Sequence, residues 1–208
     1  MKLAVFDFDS TLMDGETLEY IAQDADIKEK MKTITEKAMN GELDFFESLT
    51  QRVSYLKGME VKHVNEICSN FPYIKGAKEL IKELKSNNIK VICFSGGFAN
   101  ALIPAKEHLG FDEGFCNILH EKNGYLTGLV YGEMCAGNSK GIMLQKIQTI
   151  LNISTEDTMT VGDGANDLSM FKYAGTKVAF CAKDTLKKAA NVIVDDKNLL
   201  NILNHIKL

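Results

Sequence analysis

Asp7 and Asp9 stand two residues apart at the end of the apolar run Leu3-Ala-Val-Phe6, with Thr11 just beyond them. Carboxylates so spaced can bind a metal, attack an electrophile or move a proton. The run does not alternate with polar residues, which marks a strand buried on both faces. Ligands of open parallel sheets gather beyond the carboxyl ends of the strands, and both aspartates fall there. Asp-x-Asp alone also fits a solvated acidic loop, so its meaning depends on the rest of the chain. A second apolar run, 89–94, ends in Ser95-Gly96-Gly97. Gly137-Asn138-Ser139 leads into Lys140 where a helical pattern starts. A third run, 158–161, ends in Gly162-Asp163-Gly164-Ala165-Asn166-Asp167.

Were the group handled a phosphoryl group, the task would be mainly positioning and charge neutralisation. An attacking carboxylate must approach a phosphate dianion, and two like unit charges about 4 Å apart repel by roughly 4 kcal/mol at an effective dielectric near 20. A magnesium ion touching both Asp7 and a phosphate oxygen reverses that repulsion. Asp163 is a further oxygen donor of the hard kind magnesium prefers. Asp167 is placed to brace the metal site from behind, Asn166 to touch phosphate, and Ser95 and the Gly96 amide to offer neutral donors. Lys140 adds a cation. Its position at a helix start opposes the helix dipole, which a bound phosphate explains and a surface lysine does not. A leaving alkoxide needs a proton, yet an ordinary aspartate is only about 0.1% protonated at pH 7. Closeness to Asp7 and to phosphate raises the pKa of Asp9, so it can serve as acid and then as base on water. Thr11 is read as orienting this loop. The Gly-Asp-Gly stretch lacks the remaining positions of an EF-hand, and the chain has no P-loop pattern. His63, His108, His120 and His205 lack ligand spacing, and the methionines are scattered as packing residues are.

Asp-x-Asp-x-Thr, then Ser, then Lys, then Gly-Asp-Gly-x-Asn-Asp, in that order, resembles the haloacid dehalogenase-like phosphohydrolases. Asp7-Phe-Asp-Ser-Thr-Leu12, Glu16-Thr17, Ser95-Gly-Gly-Phe98, Val161-Gly-Asp-Gly-Ala-Asn-Asp167 and Ala179-Phe-Cys-Ala-Lys183 extend the likeness over nearly the whole chain. The resemblance implies magnesium-dependent hydrolysis of O-phospho-L-serine to L-serine and phosphate, the last step of serine biosynthesis. It implies that Asp7 is the nucleophile, forming an aspartyl-phosphate, and that Asp7, Asp163 and the Asp9 backbone carbonyl hold the metal. Glu16 is then expected to take the substrate ammonium and Arg52 its carboxylate, whose two oxygens a planar guanidinium fork matches. Met39 and Phe45 are expected to line the apolar side of the pocket. By themselves Glu16 and Arg52 read as ordinary helix-surface charges. Two rivals stay open: a related phosphatase or phosphotransferase acting on another small phosphomonoester, and a receiver domain, also aspartate-phosphorylated. A helical insertion and Asp9 argue against the receiver; Lys140 does not discriminate.

The elements that must hold these residues alternate. Helical spacing at 77–84, 98–109, 139–151, 166–174 and 198–205 separates strands at 89–94, 158–161 and 177–180, as βαβ units do. The expected fold is α/β: a doubly wound, mainly parallel, Rossmann-like sheet. Segments 115–119 and 125–131 flank Lys122-Asn123-Gly124, a hairpin signature read as a small flap. Pro104 is expected to kink or shorten its helix. Residues 14–72 show only helical periods, with Asp44 as N-cap ahead of Glu47, Gly58 as a stop and Phe71-Pro72 as another. That stretch is read as a helical-bundle cap inserted into a core of residues 1–13 and 73–208.

At 208 residues the chain is long enough to bury roughly 70% of its unfolded surface without staples. A net charge of −4 with interspersed signs gives no case for nucleic acid or an anionic membrane. No run approaches the roughly 20 apolar residues of a membrane span, and the first residues lack a secretory pattern. The five scattered cysteines favour a reducing compartment. A cytoplasmic enzyme acting on a small molecule is expected.

Overall fold

The computed structural model describes residues 1–22, 25–39 and 42–207. In chain order the strands are β1 (Leu3–Asp7), β2 (Lys90–Phe98), β3 (Glu113–Lys122), β4 (Tyr125–Gly132), β5 (Thr158–Gly162), β6 (Thr176–Phe180) and β7 (Val192–Val194). They form one seven-stranded sheet ordered β4-β3-β2-β1-β5-β6-β7. The β3–β4 pair is antiparallel and the other neighbours are parallel. From β1 the chain winds outward through β2 and β3 on one side and through β5, β6 and β7 on the other. The sheet's switch point, where such folds bind ligands, therefore lies beside the end of β1.

Strand β1 is buried throughout, paired to β2 and β5, and the two-residue period of a strand splits its side chains between two cores. Ala4 and Phe6 join α5 (Ala77–Ser86) and α6 (Ala99–Leu109) through Leu80, Leu84 and Ala105. Leu3 and Val5 join α7 (Ser139–Leu151) and α8 (Leu168–Phe171) through Leu144, Ile147 and Phe171. The sheet is thus covered on both faces, as expected of a doubly wound fold. A short helix α9 (Asp184–Lys187) follows β6.

Among the described residues, four helices stand between β1 and α5: α1 (Thr17–Ile21), α2 (Ala25–Met39), α3 (Phe45–Ser54) and α4 (Val61–Cys68). Asp44 caps α3 by accepting from the Glu47 amide at 2.8 Å, and the Glu47 carboxylate accepts from the Asp44 amide at 3.2 Å. The two chain crossings at this segment's base bond to each other. Asp14 N donates to Pro72 O and Ile74 N to Leu12 O, each at 2.9 Å. A third connection was not legible in the sequence. The α3–α4 turn runs antiparallel to the start of β4: Gly58 N donates to Leu126 O (2.8 Å), Leu126 N to Met59 O (2.9 Å) and Val61 N to Gly124 O (2.9 Å).

Several expected elements differ in detail. The β3–β4 turn is Asn123-Gly124 with both φ positive (55° and 81°), the geometry that favours Asn-Gly in two-residue hairpins. Strand β2 does not stop at Phe94 but runs on through Ser95-Gly96-Gly97 to Phe98. Helix α6 continues through Pro104 rather than ending there. The expected helix 166–174 is a 3-10 turn, Ala165–Asp167, followed by α8, and the last helix is 3-10 over Leu199–His205. Strand β7 and helix α9 were not foreseen, because three and four residues are too few to establish a period. No helix among the described residues is long and apolar enough to cross a membrane.

Candidate active site

Two strand ends, the extended part of a third strand and one helix start meet at the switch point. Asp7 ends β1, Ser95 lies in the extended part of β2, Asp163 follows β5, and Lys140 is the second residue of α7. Asp7 and Lys140 are both buried, and Lys140 Nζ lies 2.5 Å from Asp7 Oδ1 and 2.7 Å from Asp167 Oδ1. Those two carboxylates push the lysine above its usual range against the opposing effect of burial. Burial, then the Asp167 charge, raises Asp7 well above the ordinary carboxylate range, with Lys140 pulling it back. Asp163 is pushed up to about 6 by burial and then by Asp167.

Asp7, Asp163 and Asp167 each direct a carboxylate oxygen to one place, all within 4.8 Å of one another. Asp167 is already fully engaged. Besides Lys140, its Oδ2 accepts from the amides of Asp163 (3.1 Å) and Gly164 (3.2 Å). A Cβ at Gly162 would collide with this carboxylate, so the Gly-Asp-Gly pattern reflects a close approach as well as loop freedom. Three carboxylates face one ammonium here, a charge imbalance that a divalent cation on Asp7 and Asp163 would correct. The donor set is all oxygen, which fits a hard ion.

Asp9 turns the other way. Its Oδ1 accepts from Thr17 N (2.6 Å) and Thr17 Oγ1 (2.5 Å), and its Oδ2 from Ser95 Oγ (3.4 Å). Burial raises its pKa while the Thr17 bonds oppose the rise. Ser95 Oγ also accepts from Gly97 N at 2.9 Å. Thr11 Oγ1 is buried with no hydrogen-bond partner among the described residues, while the Thr11 amide donates to Phe8 O at 3.3 Å within the loop. Asn166 is half-buried beside Gly164, which a Cβ would bring to 2.6 Å from Asn166 Oδ1.

The helical segment supplies the rim. Glu16 stays exposed at the cleft mouth, where its Oε1 accepts from Ser10 Oγ at 2.8 Å. Crowding by the cleft walls, then the Asp9 charge, still pushes its carboxyl above the usual range. Arg52 is half-buried and its Nε donates to Ser48 O at 3.2 Å, leaving its terminal nitrogens without a partner among the described residues. Burial lowers its pKa against the opposing pull of Glu16, Asp9 and Glu19. The Phe45 ring leans on Gly96, where a Cβ would come within 3.1 Å of Phe45 Cζ. Met39 ends α2, and its side chain lies outside the described residues. Two open depressions of about 470 and 640 Å³ along α4 gather no comparable chemistry.

The family model for haloacid dehalogenase-like hydrolases matches residues 1–175. The chain belongs to that family. Within it, a phosphoserine phosphatase of Wolinella succinogenes is 57% identical over 206 residues, covering 99% of this chain and 100% of that protein. One from Methanocaldococcus jannaschii is 48% identical, covering 99% and 98%. A solved phospho-aspartyl intermediate analogue of phosphoserine phosphatase superposes with a TM-score of 0.93 at 48% identity, covering 99% of each chain. A substrate-bound phosphoserine phosphatase complex matches equally well, at 0.93 and 48%, covering 99% and 98%.

Two residues that hold this hydrolase's site together carry no role in the sequence reading. Thr17 grips Asp9 with both amide and hydroxyl, but one threonine at a helix start looks like any N-terminal residue. Asn117 is fully buried in β3, and a polar residue between Phe115-Cys116 and Ile118-Leu119 was the available signal.

Proposed function

We propose that the protein hydrolyses O-phospho-L-serine to L-serine and phosphate, with Asp7 carrying the phosphoryl group between two half-reactions. The observation that carries this reading is the buried Asp7–Lys140 pair at the sheet's switch point, with Asp163 and Asp167 beside it. The names of the full-length relatives support the choice of substrate.

In this mechanism Lys140, Ser95, the Gly96 amide and Asn166 bind the phosphate. Glu16 takes the substrate ammonium, Arg52 its carboxylate, and Phe45 with Met39 the apolar side. Asp7 attacks phosphorus, the bond from phosphorus to the serine oxygen breaks, and Asp9 gives that oxygen its proton. Asp9 then takes a proton from water, whose oxygen attacks phosphorus and frees Asp7. Asp7, Asp163 and the Asp9 main-chain carbonyl would hold magnesium, which would supply positive charge to offset the repulsion between carboxylate and phosphate. Asp167 holds Lys140 and the 163–164 amides in place. Residues 14–72 serve as a cap over the core of 1–13 and 73–208, excluding water from the first step. The five cysteines, all free, support a reducing cytoplasm and a place at the end of serine biosynthesis.

Phosphate release measured across a panel of phosphomonoesters tests the reading. Catalytic turnover with phosphoserine favoured over the rest is expected. Release stopping at one equivalent points instead to a receiver, and preference for another ester removes the substrate assignment.

A further inference from the structure

The β2–β3 ladder is interrupted at the site. Phe94 pairs with Phe115 and Phe98 with Asn117, so Ser95-Gly96-Gly97 stand opposite the single residue Cys116. A bulge of this kind leaves main-chain groups without ladder partners, and a buried carbonyl left so is costly. The Asn117 side chain supplies the missing partner, Nδ2 donating to Gly96 O at 3.0 Å. At the other end of the same peptide unit, Gly97 N donates to Ser95 Oγ at 2.9 Å. With a lone pair of Ser95 Oγ used there, its proton is left to point at Asp9 Oδ2, 3.4 Å away, and the phosphate position beside it.

The other arm of Asn117 reaches the opposite wall. Its Oδ1 accepts from Met134 N (3.0 Å) and Cys135 Sγ (3.1 Å), just ahead of the turn that opens α7 and presents Lys140. Gly132, at φ +144°, packs so closely that a Cβ there would lie 2.7 Å from Asn117 Cα. The residue is fully buried and cannot touch substrate.

We propose that Asn117 is a positioning residue for phosphate transfer: it fixes the Gly96–Gly97 peptide so that the Ser95 hydroxyl is aimed at the phosphate. The inference rests on the phosphatase reading above. A double-mutant cycle on the full chain tests it, using Ser95→Ala, Asn117→Ala and the pair, with kcat/KM on phosphoserine and on an aryl phosphate. Asn117→Ala is expected to lose about 5- to 30-fold on both substrates, and to add less than about threefold once Ser95 is already alanine, because residues acting in one network are not additive. Affinity for inorganic phosphate in the presence of magnesium should fall with the single change. Asn117→Ser, which is too short for either arm, repeats the cycle if the alanine variant does not fold. Losses that multiply in full, or unchanged phosphate affinity, overturn the proposal while the phosphatase reading stands. An unaltered protein that releases no phosphate overturns both.

Discussion

The two halves of the site are built differently. Around Asp7, the buried charges are each bonded more than once: Lys140 holds two carboxylates, and Asp167 a lysine and two amides. Along the helical rim, Glu16 has one hydrogen bond, to a neighbouring hydroxyl, and Arg52 has one, to its own helix. Groups preorganised in a closed site stabilise developing charge without reorganising. Groups with spare donors or acceptors are free to meet a ligand. The division assigns reaction to the sheet and selectivity to the rim, and four changes bear on it.

Asp7→Asn should cost most, at least about 10⁴-fold in kcat for every substrate, since loss of a nucleophile is rarely compensated. Its circular dichroism should stay native. A phosphoryl group trapped on any other residue, located by mass spectrometry, would erase the division at its base. Next comes metal removal. Chelation should end turnover and magnesium restore it, while calcium, which prefers more ligands and looser geometry, supports it poorly. Full activity in a metal-stripped sample contradicts the site's charge count.

Arg52→Ala sharpens the comparison. A charge-assisted bond to the substrate carboxylate contributes on the order of 1.5–3 kcal/mol, so kcat/KM for phosphoserine should fall roughly 10- to 150-fold. An aryl phosphate, lacking a carboxylate, should be almost unaffected. Equal losses on both would make Arg52 part of the reaction or the fold, and no loss on either would make it a surface charge.

The smallest effect concerns stability. Asp163 is raised in the folded state to about 6, above its ordinary value near 3.9. Above both values the folded metal-free protein carries a penalty. As pH falls through about 6 the folded state takes up its proton first, and below about 4 both states are protonated and the penalty is gone. Asp163→Asn should therefore stabilise the metal-free protein at pH 7 by on the order of 1–3 kcal/mol, about 2–4 °C in Tm per kcal/mol, with no gain near pH 3. A stabilisation that persists there would show that charge is not its cause.

What the sequence disclosed follows the same division. β1, the two later strand motifs and the helix opening at Lys140 were legible because buried runs followed by Gly, Ser and Asp carry local patterns. The rim was legible only through family likeness, since Glu16 and Arg52 look like any helix-surface charges. The bulge at Ser95-Gly96-Gly97, the Thr17 grip on Asp9 and the node at Asn117 join residues distant along the chain, and no local period records them. The split of one expected helix into a 3-10 turn and α8 has a local reason: Asp167 turns back to cap the amides of 163 and 164.

The backbone bonds from the α3–α4 turn to β4 have a consequence for how the molecule is made. Glu60 and Tyr125, which meet there, are 65 residues apart in sequence. On a growing chain the inserted helices emerge from the ribosome long before the strand that seats them. Until Leu126 has been synthesised their α3–α4 turn lacks the strand it bonds to. Their final docking is therefore a late, long-range closure of the kind that slows folding, and destabilising the Asn123-Gly124 turn should delay it.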